Sequence, residues 1–417
     1  MNNYFFFDLD ASFNYSDFTG YISLFLIIFL LPFLIHKKPH IKNILILFVF
    51  IRIILSIVNV DFISLPDSRG DAKKFILIAA EISKEGFYEN LINPNVGEFF
   101  KYSYPWILSL FFSLFGVSYL LACTINIIFG MLTIFFLDSF LKLLWGNFSF
   151  NKRIFYISLI PSIILYSIIP LREALFVFFL LIAFLNLGYF LKFNKIVYLI
   201  LTLIFFFMTG FMHGGGYIGL IIILLFLTIS NFKHFINKLI NNKINFINIL
   251  ILSFTIILLF NYFSGDIVFS KIGSYSNLID FNYIASFSTN RSFGDAKYPN
   301  FLIPSKNEDL IWIIPVKFIY FLFGPFPWDV KSPIQLVGLF QSIIYVYIFY
   351  KIFSSFKIIK YNKFAYLIFI CIIIYLLAFS IGTSNFGTGY RHKAKFIIFL
   401  ASLLPLFTNK KIKKNKY

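Results

Sequence analysis

Runs of about twenty apolar residues recur along this chain, and each is long enough to cross a hydrocarbon core about 30 Å thick. They fall at about 17–35, 43–60, 118–141, 154–169, 171–191, 196–211, 215–230, 245–262, 334–350, 364–382 and 395–408. The runs are continuous, whereas strands of a membrane barrel alternate apolar and polar residues. Helices are the remaining solution, because they satisfy their own backbone in lipid. Only 13% of the 417 residues are charged and 59% are hydrophobic, against about 25% charged in soluble domains. The expected fold is all-α: a polytopic transmembrane helical bundle of about eleven spans, forming one domain over residues 1–417 without internal repeats.

Charge sets the expected topology. The formal net charge is +18, which in a soluble chain would suggest nucleic acid. Here the cations follow the membrane. Segments 36–42, 146–153, 192–195, 231–243, 351–363 and 409–417 carry Lys and Arg but no Asp or Glu. Apart from Asp138 and Glu173, the acids fall before residue 18, within 61–104 and within 263–333. The positive-inside rule then places the basic segments in the cytoplasm. It places the N-terminus and two long loops, 61–104 and 263–333, outside the plasma membrane, and the C-terminus inside. The N-terminal segment lacks the basic start of a cleaved signal, so the first helix is expected to be retained. Cys123 and Cys371 lie within apolar runs and suggest neither a disulfide nor a metal site.

Residues 105–116 and 311–324 are apolar but shorter than a span. With 72–91, they are expected to form amphipathic interfacial or re-entrant helices in the outer loops. Segment 72–91 follows Pro66-Asp67-Ser68-Arg69-Gly70-Asp71, the start of the first long polar segment. Asp71, Phe75 and Ala79 recur every four residues, which predicts a helix beginning near Asp71.

A charge within a bilayer costs about 2.5–3.5 kcal/mol on insertion scales, so each one needs a reason. Arg52 lies mid-run and reads as a bundle ion pair or a snorkelling side chain. Asp138 has Lys142 four residues on, a local helical pair. Arg172 and Glu173 share a very short outer turn, for which an anchoring and a functional role weigh about equally. His213 precedes three glycines in another turn and reads more readily as structural. Arg391, His392 and Lys393 follow Gly387 and Gly389, with a helix expected from about Lys395; a glycine-rich approach to a helix N-terminus suits a phosphate. Of six arginines, Arg69, Arg172, Arg291 and Arg391 are expected outside. Asp67 or Asp71 with these cations suits chemistry on a lipid-linked phosphate.

On these residues the chain resembles the GT-C class of membrane glycosyltransferases, which includes the dolichyl-phosphate-mannose protein mannosyltransferases and the lipid A aminoarabinose transferases. The resemblance rests on Asp71, Phe75 and Ala79, then Tyr104-Pro105, Leu114-Phe115-Gly116 and Asn126. It continues with Pro170-Leu171-Arg172-Glu173, Pro325-Phe326-Pro327-Trp328 and Thr388-Gly389-Tyr390-Arg391-His392. It covers residues 60–190 well and the remainder loosely. Many members carry two adjacent acids in the first loop; here Asp67 and Asp71 stand four apart. The resemblance implies a polyprenyl-phosphate-sugar donor and a glycan, lipid or protein acceptor outside the plasma membrane. It implies inversion at the anomeric carbon, with Asp71, or else Asp67, as base. Arg69, Arg172, Glu173, His213, Arg391, His392 and Lys393 would bind substrate. No cofactor is required, although a divalent cation is compatible with the acids.

Two other readings fit the same composition. An O-antigen-type oligosaccharide polymerase or ligase would use outer arginines such as Arg291. A transporter or flippase would place charges near the bilayer midplane.

Overall fold

The computed structural model describes residues 18–92, 101–226, 296–304 and 308–405. The N-terminal segment, the run at 245–262, Arg291 and the basic tail from 409 lie outside the described residues. The described chain is helical. Its helices are α1 (Phe18–Lys37), α2 (Lys42–Asp61), α3 (Gly70–Ser83), α4 (Phe87–Ile92), α5 (Ser103–Phe115), α6 (Tyr119–Trp145), α7 (Asn151–Ser158), α8 (Pro161–Tyr166), α9 (Glu173–Phe193) and α10 (Ile196–Met212). There follow α11 (Gly214–Phe226), α12 (Asp309–Phe323), α13 (Pro333–Ser354), α14 (Phe356–Tyr361), α15 (Lys363–Ile381) and α16 (Phe386–Ser402). Among the described residues six helices, α1, α2, α6, α9, α13 and α15, are long and apolar enough to cross a membrane.

The bundle has two distinct ends. His40, Asp138, Lys142 and Asn151 meet at one of them. Asn362 and Trp145 bond there to the carbonyls of Leu144 and Ser402. Asp67, Asp71, Glu173, His213 and Arg391 gather at the opposite end. The sorting of basic loops from the acid-bearing first loop is therefore built into the packing.

The run at 154–169, expected as one span, is two short helices. Pro161 has no N–H and cannot continue α7, and Ile160 before it is extended. The break frees carbonyls in an apolar interior, where an unmet backbone group is costly. Arg52 answers it: Nη2 donates to Ser158 O at 2.7 Å and Nε to Ser167 Oγ at 3.0 Å. Asn126 Nδ2 donates to the carbonyls of Leu171, at 2.9 Å, and Ile169. Arg52 is thus a hydrogen-bonding post for broken backbone, fully buried and stacked 3.5 Å from the Phe48 ring. Asp138 pairs with Lys142 as its spacing suggests, and also with Lys38 and His40.

Two buried lysines serve the same purpose at helix ends. Lys317 Nζ donates to Ile381 O, at the C-terminus of α15, at 3.0 Å. Lys393 Nζ donates to Leu322 O and Gly324 O, at the C-terminus of α12, at 3.2 and 2.8 Å. Cations suit helix C-termini because free carbonyls and the negative dipole end converge there.

The first loop is tied to this frame. Helix α3 starts where the spacing predicts and buries Ala72, Ile76 and Ala79 on one face, against α5. Phe75 packs edge-on to Tyr104 at 5.7 Å. Tyr104 donates to Asn126 Oδ1 at 3.1 Å, and Tyr119 of α6 donates to Ser68 O at 2.8 Å. These bonds fix the loop holding Asp67 and Asp71 over the end of α6.

Candidate functional site

The loop and the start of α16 enclose an open cleft of about 500 Å3, lined by Ser64 to Asp67, Arg69 to Asp71, Thr388 and Arg391. Both candidate acids and two of the candidate cations therefore face one space. Asp67 has φ 64, a left-handed conformation that aspartate tolerates better than most residues. The turn presents its carboxylate to Tyr166, whose hydroxyl donates to Oδ2 at 2.8 Å. Asp67 stays exposed to the open cleft; partial desolvation by its neighbours raises its carboxyl above the usual aspartate range, and the Tyr166 hydrogen bond and nearby Arg391 oppose that shift.

Asp71 has a different partner. Arg391 Nη1 donates to Asp71 Oδ2 at 2.6 Å, and its Nε to Glu173 Oε1 at 2.9 Å. Lys395 Nζ approaches the same Glu173 oxygen at 3.3 Å and His392 Nδ1 at 3.1 Å. Charges alternate along this ladder as it leaves the cleft. Side-chain exposure falls from 53% at Asp71 to 11% at Arg391, 1% at Glu173 and 0% at Lys395. Arg391 and Lys395 share a face of α16 because they stand four apart.

The remaining candidates divide. Arg172 lies beside the ladder, with Nη1 3.4 Å from Met212 O and its guanidinium 5.8 Å from the Phe75 ring centre. Glu173 is fully buried, not at an exposed turn, because the broken segment before it lets α9 begin inside the bundle. His213 and His392 stand edge-to-face at 5.2 Å, both against Phe379. Burial, reinforced by Lys395 and Arg172, pushes His213 well below the usual histidine range. It is neutral at physiological pH, and its Nδ1 accepts from Gly215 N at 3.2 Å. The glycines after it are structural: a Cβ on Gly216 would lie 2.3 Å from the Thr209 backbone.

Two expectations about α16 need correction. The helix begins at Phe386, not near Lys395, and Asn385 Oδ1 takes the N–H groups of Gly387 and Thr388. Gly387 and Gly389 therefore belong to the start of the helix and not to a loop that precedes it. Lys393 lies two residues beyond Arg391, so it faces away from the cleft and caps α12. Sequence reasoning also missed Tyr166 and Lys395. The four-residue spacing from Arg391 could have revealed Lys395; no local signal marks Tyr166.

Buried cations elsewhere in the described bundle, Arg52, Lys317 and Lys393, meet broken-helix carbonyls. The Asp71–Arg391–Glu173–Lys395 ladder caps nothing. It joins an open cleft to the interior and is the arrangement that needs a function. Searches of family models, of curated proteins and of solved structures find no match to this chain.

Proposed function

We propose that the chain is a membrane glycosyltransferase that takes a sugar from a polyprenyl-phosphate donor at this cleft. The observation that carries the reading is the placement of Asp67 and Arg391. A carboxylate of raised proton affinity and a guanidinium face one open space at the end of an apolar bundle. Asp67 accepts the proton of the acceptor hydroxyl, a role typically contributing about 10²–10⁴-fold. Arg391, with Arg69 at the cleft wall, binds the donor phosphate and stabilises the charge it gains as the anomeric bond breaks. Inversion follows from attack opposite the departing phosphate.

This assignment favours Asp67 over Asp71 as base, because the Asp71 carboxylate is already engaged by the Arg391 guanidinium at 2.6 Å. Asp71 instead orients Arg391. The acceptor is a glycan, lipid or protein, and the cleft faces the outer side of the plasma membrane. The fuller count of about eleven crossings belongs to the same proposal. Purified protein in nanodiscs, given radiolabelled polyprenyl-phosphate sugars and a cell-envelope extract, should transfer label to acceptor, and Asp67→Asn should abolish transfer. Transfer at the unaltered rate by Asp67→Asn would remove Asp67 from the mechanism.

A proton-coupled transporter is the second reading, favoured by the burial of Glu173 and Lys395 within the bundle. It predicts substrate-dependent proton uptake into proteoliposomes without covalent change to the substrate.

A further inference from the structure

The Pro325-Phe326-Pro327-Trp328 segment joins α12 to α13 and takes no part in the cleft wall. It displays an aromatic surface. The Phe326 and Trp328 rings are stacked, 5.0 Å apart at 10°. Phe326 covers one face of the indole. Trp328 is still 73% exposed, so its other face is open among the described residues. The backbone holds this display in place. Pro325 and Pro327 fix φ on either side of Phe326. Asp329 Oδ2 closes the turn Pro327–Asp329 by accepting from Phe326 N at 3.1 Å. Tyr320 of α12 supports Phe326 edge-on at 5.0 Å, and it also meets Phe301 at 5.8 Å and Phe386 at 6.5 Å.

This surface continues to the cleft. Phe386 opens α16, which also carries Thr388 and Arg391 into the cleft wall. Residues 296–304 are pinned at the same place: Phe386 N donates to Ala296 O at 2.7 Å and Tyr298 N to Ser384 O at 3.0 Å. The aromatic surface and the cleft thus share one helix start. We propose that Trp328, backed by Phe326, is a subsite for a sugar ring of a glycan acceptor; this rests on the glycosyl-transfer reading of the cleft. A pyranose has an apolar C–H face rimmed by hydroxyls. The C–H face suits the indole, whose quadrupole is negative over the ring. Asp329 in the turn and Lys331 just past it, half-buried and exposed, offer an acceptor and donors to the hydroxyl rim. A hydrocarbon chain would use the flat ring but leave that charged rim unmatched. A glycan held here reaches Asp67 past the start of α16, which selects a glycan from among the acceptor classes.

The full chain in nanodiscs gives two separate readouts. The first is the part of the tryptophan emission that Trp328→Phe removes. Maltotetraose and chitotetraose should change it, and brominated lipids should leave it unquenched. Quenching by brominated lipids would make Trp328 a membrane anchor and overturn the proposal, as would no response to either oligosaccharide. The second readout is the transfer assay. Trp328→Ala should raise the acceptor KM roughly three- to tenfold, with kcat and donor affinity little changed, and Trp328→Phe should recover part of the loss. The side chain is exposed, so both variants should fold. An unchanged acceptor KM in Trp328→Ala would overturn the subsite and leave the transferase reading intact. Oligosaccharide binding at Trp328 with no transfer at all would support the sugar site and overturn that reading of the cleft instead.

Discussion

Arg391, in the wall of the cleft, donates to the buried carboxylate of Glu173 at 2.9 Å across 218 positions of sequence. The same guanidinium reaches outward to Asp71. One fork therefore joins the first loop, α9 and α16, and its two acids differ sharply in exposure.

That difference sets unequal costs. Glu173→Gln leaves Arg391 and Lys395 without their shared buried counter-charge, a change that typically costs about 3–5 kcal/mol. Asp71→Asn breaks a half-exposed pair worth about 0–1 kcal/mol. Thermal unfolding in detergent should show a large fall in Tm for the first variant and little change for the second. Equal shifts would mean that Glu173 is not the anchor.

Arg391→Lys should reduce transfer roughly ten- to hundredfold, since a charged hydrogen bond contributes about 1.5–3 kcal/mol. A lysine supplies a point charge but cannot span Asp71, Glu173 and a phosphate with a planar fork. Turnover and donor affinity, measured on protein of matched folding, check this; the loss should appear in both.

Lys393→Met should behave in the opposite way. It leaves the carbonyls of Leu322 and Gly324 without their cation and should lower stability by about 1–3 kcal/mol. Donor binding per folded molecule should remain unchanged, because Lys393 faces away from the cleft. A specific loss of donor affinity would return Lys393 to the binding site.

Tyr166→Phe tests the base. The lost hydroxyl stabilises the ionised form of Asp67, so its removal raises the carboxyl pKa further. A base works deprotonated, so the acid limb of the pH–rate profile should move to higher pH while the plateau changes less. The starting limb should already lie above the ordinary aspartate value of about 3.9. An unmoved limb would separate Asp67 from the titration.

The sequence by itself determined the solvent and the element type. Apolar runs specify helices in lipid, and the sorting of Lys and Arg from acids specifies two unlike bundle ends. The spacing of Asp71, Phe75 and Ala79 specifies α3, because these are local properties of helical period and transfer free energy. Even the shared face of Arg391 and Lys395, and the opposite face of Lys393, follow from helical period once α16 is known to begin at Phe386.

Tertiary structure decided which charges meet backbone carbonyls and which face the cleft. Arg52 and Lys393 look as costly in the sequence as Arg391. Their roles depend on where α7 and α12 end in space, and on carbonyls far away in the chain. The meeting of Asp71 with Arg391 spans 320 positions. It is fixed by α3 packing on α5 and by Tyr119 holding Ser68, so no local pattern could encode it. Burial of Glu173 likewise follows from the break at Pro161, which lets α9 start within the bundle. A charge in a low-dielectric interior takes its meaning from its partners, and only the packed helices supply them.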